Sequence, residues 1–286
     1  MRRAAVIVGI VSALLTTSGC GAWGTRRDPT PEQLDYRHRL SQEAHDAYDR
    51  QDWARAHELL VQLGGETPKS AEVHQRLGQV LLQQGRYQDA KAAFQHALKL
   101  DPEYVNAIIG LGETEAQMGL AEQALKRFDA AVEIDPLQAD ALYNLGLIYE
   151  STNRTDDALA SYFRALEIDP TAARVILRIA SIQLARGRAE QALVRLDQVL
   201  EQTPEDPETR FRRGLALVAL KRASEAIADL EFAAAKMSNR ADVYYQLALA
   251  YRAARRDDAA LRAAETALKL APQNQHAREL TKTLKR

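Results

Sequence analysis

Residues 71–104 read AEVHQRLGQVLLQQGRYQDAKAAFQHALKLDPEY, and this stretch decides the fold. Two groups of apolar side chains in it have helical spacing, the first at Val73, Leu77, Val80 and Leu81 and the second at Ala90, Ala93, Phe94, Ala97 and Leu98. Gly85 lies between them, where a glycine with a left-handed backbone can close a helix. Pro102 follows the second group and displaces Asp101 from the helical region. The stretch therefore predicts two amphipathic helices, neither of which can bury its apolar face alone.

Copies of this helix pair recur along the chain at an interval of 34 residues. Prolines mark the interval at Pro68, Pro102, Pro136, Pro170 and Pro204, and small residues mark it at Ala56, Ala90, Ala124, Ala158, Ala192, Ala226 and Ala260. Seven units fit without insertion, at residues 37–70, 71–104, 105–138, 139–172, 173–206, 207–240 and 241–274. Such a period predicts an elongated stack in which each unit contacts only its neighbours.

Each first helix also carries a paired apolar and small position, as in Leu77-Gly78, Leu111-Gly112, Leu145-Gly146, Ile179-Ala180 and Leu247-Ala248. With its 34-residue period, this pattern resembles the tetratricopeptide repeat. The resemblance implies an all-α fold, a right-handed superhelical α-solenoid of tandem helix pairs that spans residues 37–274. Unit 207–240 departs from the pattern, because Arg213 occupies a position that is usually apolar. Residues 275–286 follow the last unit and predict a C-terminal capping helix with one apolar face.

The N-terminal residues 1–20 have the composition of a targeting segment. Arg2 and Arg3 precede a 12-residue apolar run, which is shorter than a membrane span and typical of a signal peptide. The run ends in Thr-Ser-Gly-Cys and resembles a bacterial lipoprotein cleavage box, although Thr17 replaces the usual aliphatic residue. The resemblance implies lipidation at Cys20, and Gly21 after it favours the periplasmic side of the outer membrane. An ordinary signal peptide that contains a cysteine is the alternative.

Residues 21–36 contain two glycines and two prolines and show little apolar periodicity. This composition predicts a flexible tether between the lipid and the solenoid. The formal net charge of the chain is −1, which argues against nucleic acid as a partner. Cys20 is the single cysteine, so no intramolecular disulfide can form.

The sequence contains no pattern typical of an enzyme. Its six histidines form no metal-binding spacing, and no glycine-rich phosphate loop or nucleophile motif occurs. We therefore expect no catalytic residues, no metal and no cofactor.

In the family that the chain resembles, the first helices of successive units line a concave groove. Carried onto this chain, that groove includes Glu113 and Glu150, and its aromatic, arginine and amide side chains are typical of binding hot spots. The predicted peptide-groove residues are Tyr143, Asn144, Arg174, Arg178, Phe211, Arg212, Tyr245 and Gln246. The alternative is that Tyr143 and Tyr245 pack against neighbouring units and that the arginines are solvated.

The resemblance extends to bacterial tetratricopeptide lipoproteins, such as pilus-assembly pilotins and adaptors of cell-wall enzymes. It implies a lipid-anchored scaffold of the cell envelope that holds an envelope protein, or an extended peptide segment of one, in its groove. Pilus or secretion-system assembly is the preferred role. Two alternatives stay open, namely the substrate-recognition arm of a peptide glycosyltransferase and a self-associating structural protein.

Overall fold

The computed structural model describes residues 28–285, in which all regular secondary structure is helical. Its helices are α1 Pro31–Asp49, α2 Trp53–Glu66, α3 Ala71–Gln83, α4 Tyr87–Leu100, α5 Val105–Gln117, α6 Ala121–Ile134, α7 Ala139–Ser151, α8 Thr155–Ile168, α9 Ala173–Ala185, α10 Ala189–Gln202, α11 Pro207–Ala219, α12 Ala223–Lys236, α13 Ala241–Ala253, α14 Asp257–Leu270 and α15 Gln275–Leu284. Each helix packs on the next, and the helix pairs follow one another as a solenoid. The predicted all-α solenoid is therefore confirmed. None of the helices in this part of the chain is long and apolar enough to cross a membrane.

The odd-numbered helices lie on the inner side of the solenoid. Helix α3 contacts α5, α5 contacts α7, α9 contacts α11 and α11 contacts α13, whereas the even-numbered helices of the described region make no comparable contacts with one another. Elements that approach each other in this way occupy the concave face of a curved stack. The odd-numbered helices consequently form an inner groove, and the even-numbered helices form the outer face.

Close packing within the helix pairs depends on a small residue in the odd-numbered helix, which in six of the seven units lies opposite a larger residue in the even-numbered helix. A Cβ atom added to Gly78 would lie 2.8 Å from the ring of Phe94, and one added to Gly112 would lie 2.8 Å from the ring of Phe128. Units that carry alanine at the glycine position have a smaller partner, as in Ala44 with Leu60, Ala180 with Leu196 and Ala248 with Ala264. The two positions therefore compensate each other in volume, as a densely packed interior requires.

The turn between the two helices of each unit contains one residue with a left-handed backbone. Three units have glycine there, with φ of 71° to 76°, at Gly85, Gly119 and Gly187. The other four units hold a larger residue at the same position, with φ of 58° to 60°, at Gln51, Asn153, Lys221 and Arg255. The conformation expected for Gly85 is thus present, and the repeat imposes it even where the side chain disfavours it.

The N-terminal boundary differs from the expectation. Helix α1 begins at Pro31, so residues 31–36 are helical and the predicted tether does not extend to Tyr36. The cause is a capping box, in which the Gln33 amide donates to the Thr30 side chain at 3.3 Å and the Thr30 amide donates to the Gln33 side chain at 2.9 Å. The proposed signal peptide and lipidation site at Cys20 lie outside the described residues.

At the other end, α15 packs against α14 and buries Ala277 and Leu280. Its first turn is capped by the side chain of Asn274, which accepts a hydrogen bond from the amide of Ala277 at 3.1 Å. The remaining surface of α15 is polar, so the apolar contacts of this helix are confined to the face that packs on the solenoid.

Candidate peptide-binding groove

The central part of the inner groove is formed by α7 and α9. Tyr143 on α7 is half-buried, and its ring lies 5.8 Å from the ring of Tyr162 behind it. The guanidinium carbon of Arg174 on α9 lies 4.5 Å from the Tyr143 ring centroid, and the same guanidinium pairs with Asp140 one turn earlier on α7. The aromatic face and the cation are thus held together, an arrangement with a cation–π attraction of about 0.5–1 kcal/mol at exposed sites.

The neighbouring Asn144 is linked to the preceding unit rather than left free. Its side-chain amide donates a hydrogen bond of 3.0 Å to Glu113 on α5. Glu113 is half-buried, and burial is the main reason that its pKa is raised above the ordinary glutamate value; Asp140 raises it further, while the bond from Asn144 and the charge of Arg174 act in the opposite direction. Glu113 therefore loses part of its hydration in the groove wall, which disfavours its charged form.

Glu113 and Asn144 border a cavity of about 440 Å³ in the inner groove. Its walls come from three successive units and combine apolar and polar side chains, namely Leu82, Gln83, Tyr87, Glu113, Ala116, Gln117, Phe128, Asn144, Leu147 and Ile148. A smaller cavity of about 230 Å³ lies further toward the N-terminus, beside Tyr48, Arg76 and Gln79. Both cavities are open to solvent and combine apolar side chains with polar ones.

Arg178 faces a second groove carboxylate. A terminal nitrogen of Arg178 lies 4.0 Å from an oxygen of Glu150, which also accepts a hydrogen bond from the Tyr162 hydroxyl. Burial is the main cause of the raised pKa of Tyr162, and the bond to Glu150 adds to it. Glu150 therefore joins the exposed arginine to the buried aromatic core of its own unit.

The expectation that Phe211 would present an exposed aromatic face is wrong. Its side chain is only 6% exposed and belongs to the apolar core that extends from α9 to α15. The residue lies at a groove-facing position, but the guanidinium carbon of Arg240 lies 4.8 Å from its ring centroid and covers it. Phe211 thus supports the groove from below and is not part of its surface.

Arg212 is held by two groups of the groove wall. Its Nε donates to the Ser181 hydroxyl of the preceding unit at 3.0 Å, and its guanidinium also pairs with Glu208. Arg174, Arg178 and Arg212 are therefore each engaged with a polar group of a neighbouring or the same unit. These pairs orient the arginines along the groove, while half of the Arg174 and Arg178 side chains remains accessible to a ligand.

Tyr245 and Gln246 lie apart from this central cluster, at the C-terminal end of the groove. Both are half-buried, and the Tyr245 ring centroid lies 6.4 Å from that of His276 on α15. Tyr143, Asn144, Arg174 and Arg178 thus lie together in the structure, and Arg212 lies in the next unit. Tyr245 and Gln246 lie apart from this group. Glu113 and Glu150 were placed in the groove by the sequence, but only the structure reveals that they hold Asn144 and Arg178. Residues 28–285 contain no cluster of three side chains suited to a metal ion.

Family models described as tetratricopeptide repeats match residues 41–105, 81–146, 139–172, 177–242 and 241–274. These matches cover most of the chain, and the chain belongs to the tetratricopeptide repeat family. No curated protein matches the sequence significantly.

Several solved structures have a similar fold at low sequence identity. The structure of pilF from Pseudomonas aeruginosa has a TM-score of 0.68 and 19% identity, and the match covers 74% of this chain and 97% of that one. YrrB, described as a tetratricopeptide repeat protein with an unusual peptide-binding site, has a TM-score of 0.59 and 22% identity over 66% of this chain and 98% of its own. The Cut9–Hcn1 structure of the APC/C has a TM-score of 0.65 and 17% identity, over 88% of this chain and 46% of that chain. At these identities the likeness establishes the fold.

Proposed function

We propose that this protein is a scaffold of the bacterial cell envelope that holds an extended segment of a partner protein in its inner groove. The observation that carries the proposal is the central groove itself, where the Tyr143–Arg174 pair adjoins the open cavity beside Glu113 and Asn144. A half-buried aromatic ring supplies rigid contact area, and polar groups held by the wall supply directional hydrogen bonds. No catalytic family is among the matches, which accords with a binding role.

The groove suits a polypeptide better than a compact ligand. Its polar groups recur from unit to unit, and its two cavities are separated along the solenoid rather than combined into one deep pocket. An extended chain can place successive side chains into separate cavities, while its backbone meets amide and carboxylate groups such as Asn144 and Glu113. YrrB has a similar fold and is described as having a peptide-binding site, which supports the same mode of binding here.

The proposed location follows from the N-terminal sequence. Lipidation at Cys20 would attach the solenoid to a membrane without a transmembrane helix, and Gly21 favours the outer membrane. The structural likeness to pilF of Pseudomonas aeruginosa is the reason to place pilus or secretion-system assembly first among the roles of such a scaffold.

Site-specific photo-crosslinking tests the groove proposal directly. A benzoylphenylalanine residue at Tyr143 is compared with the same residue at Tyr36, an exposed tyrosine on α1 away from the central groove. We expect a discrete crosslinked partner from position 143 in intact cells and none from position 36. Equal crosslinking at both positions, or none at position 143, would overturn the groove as the binding surface.

Membrane fractionation with intact-mass analysis tests the location separately. Wild-type protein should carry a lipid-sized mass addition and sediment with membranes, and Cys20→Ser should lose both properties. An unmodified, soluble wild-type protein would retract the anchor but leave the groove proposal intact.

A further inference from the structure

The outer face of the solenoid contains a cleft at the junction of units 139–172 and 173–206. It has a volume of about 500 Å³ and is bordered by α8, the C-terminal end of α9 and α10. Helix α8 packs on α9 less extensively than in any other pair of consecutive helices, which leaves this junction open. We call it the outer cleft and define it by Phe163, Gln183, Arg186, Val194 and Arg195.

The outer cleft exposes apolar surface that no part of the described chain covers. Val194 on α10 is 70% exposed and Phe163 on α8 is 38% exposed, and both line the cleft. Single exposed apolar residues need no explanation, but two that border one cleft together with unpartnered polar atoms mark an interaction surface.

The first unpartnered atom belongs to Gln183. This side chain is 94% buried, since only 6% of its surface is exposed, and its Oε1 atom has no hydrogen-bond partner within residues 28–285. Its amide nitrogen donates a long bond of 3.4 Å to Gln191. Two units earlier in the chain the same repeat position holds Glu115, a buried polar residue that lies within 3.2 Å of Lys91 and 3.4 Å of Arg127. A buried acceptor without a donor is energetically unfavourable, so the Gln183 Oε1 atom is available to accept a hydrogen bond from a ligand.

The second group without a partner in the part of the chain that the structure describes is the guanidinium of Arg195. Its carbon lies 5.1 Å from the ring centroid of Phe163, and the ring shields it from water on one side. Burial lowers the pKa of Arg195, and no carboxylate among the described residues acts in the opposite direction. Arg186, at the rim, pairs with the exposed Asp156 at 2.7 Å, and Arg188 adds another positive charge beside it. The cleft therefore presents a partly dehydrated cation without a counter-charge.

We propose that the outer cleft binds an acidic segment of a partner protein. A carboxylate of that segment forms a paired hydrogen bond with Arg195, an apolar side chain beside it covers Val194 and Phe163, and a main-chain N–H fills the vacant acceptor of Gln183. Carboxylates match the planar guanidinium fork, and removal of water from the pair strengthens it. Because Phe163, Val194 and Arg195 lie on the even-numbered helices α8 and α10, the cleft opens on the outer face and is separate from the inner groove, and the protein is able to hold two segments at once.

The test uses two labelled ten-residue peptides. One contains two leucines flanked by aspartates and glutamates, and the matched peptide has every carboxylate replaced by its amide. Fluorescence anisotropy with the full solenoid should give at least tenfold tighter binding of the acidic peptide. In an NMR titration, the Gln183 side-chain amide should shift and that of Asn144 in the inner groove should not.

Three variants locate the binding surface. Arg195→Gln and, independently, Val194→Glu should each weaken binding of the acidic peptide at least tenfold. Because the Val194 side chain is exposed, Val194→Glu should fold normally, and a loss of binding in this variant is then a local effect. Arg164→Gln, which removes the same charge from an exposed site on α8, should leave the affinity within twofold. An equal loss with Arg164→Gln, equal binding of the amide peptide, absence of binding at millimolar concentration, or shifts confined to the inner groove would each overturn the proposal.

Discussion

Arg213 on α11 donates two parallel hydrogen bonds to the carboxylate of Asp229 on α12, one of 2.6 Å from Nε and one of 2.8 Å from Nη2. Asp229 is only 1% exposed, and its carboxylate also pairs with Arg210 at 3.3 Å. The position of Arg213 is apolar in most units, so the ion pair replaces a hydrophobic contact between the two helices. Arg213 therefore has its counter-charge in the same unit, because Asp229, 16 residues later, is a second departure from the repeat pattern.

Removal of one partner of this pair should destabilise the solenoid. Asp229→Ala leaves a partly buried guanidinium without its main counter-charge, and such a change typically costs about 3–5 kcal/mol. Urea unfolding followed by circular dichroism measures the loss. Arg213→Leu with Asp229→Leu removes both charges and should recover most of the stability, because two apolar side chains can fill the same space.

The exposed pair of Arg222 and Glu225 in the same unit provides the control. Its bonds of 2.7 and 2.6 Å are as short as those of the buried pair, but both side chains are about half exposed. Arg222→Ala should therefore leave the free energy of unfolding almost unchanged, because solvent screens an exposed pair. A loss from Asp229→Ala no greater than this would show that burial of the pair has no energetic consequence.

Gly112 should tolerate alanine only when Phe128 becomes smaller. The new Cβ would lie 2.8 Å from the Phe128 ring, so Gly112→Ala alone should destabilise the protein by about 1–3 kcal/mol through overpacking. The double change Gly112→Ala with Phe128→Leu reproduces the pair of Ala180 and Leu196 and should be more stable than the single variant.

Gly65 on α2 is the matched control for this substitution. Nothing lies within 4 Å of a Cβ built there, so Gly65→Ala should raise stability by about 0.5–1 kcal/mol, the ordinary preference of a helix for alanine. Thermal unfolding compares the wild type with Gly112→Ala, the double variant and Gly65→Ala. A stable Gly112→Ala protein would contradict the volume exchange between the two helices.

Most of the fold could be predicted from the 34-residue period, because the period specifies which side chains pack against each other. Small residues at one position and large ones at another, kept in register over seven units, require helix pairs that stack. The groove was harder to predict, because a position that faces inward is not always exposed. Phe211 has the register of a groove residue but is covered by Arg240, which lies outside the groove positions. The pairing of Asn144 with Glu113 was equally hidden, since it depends on the distance between two adjacent units.

Composition was misleading at the N-terminal end of the solenoid, where one local interaction starts a helix. Residues 31–36 follow a polar, proline-containing stretch, yet the Thr30 capping box starts a helix there. A threonine followed three residues later by a glutamine, with proline at the first helical position, is the sequence signal that would have predicted this start.

Nothing in the sequence of α8 to α10 indicates the outer cleft, because it arises from a loose junction between units rather than from a motif.

Substitutions at Gly119 should reveal the backbone cost of the left-handed turn. Its φ is 76° and a Cβ built there meets no atom within 4 Å, so any loss comes from the backbone alone. Gly119→Ala should destabilise the protein by about 1–2 kcal/mol. Gly119→Asn should lose less, because asparagine tolerates this conformation and Asn153 adopts it in the next unit. Equal losses for the two variants in urea unfolding would contradict this account.

Glu113 should make stability depend on pH in a direction opposite to that of a salt-bridged carboxylate. Because burial raises its pKa in the folded protein, its contribution to stability is fully present below the ordinary glutamate value of about 4.3 and is lost as the pH rises through the higher folded value. Glu113→Gln cannot ionise but keeps an oxygen that accepts from Asn144. It should therefore raise the urea midpoint relative to wild type at pH 7, and the advantage should shrink as the pH falls toward 4. A Glu113→Gln protein less stable than wild type at pH 7 would indicate that the Asn144 bond requires a full negative charge and outweighs the cost of burial.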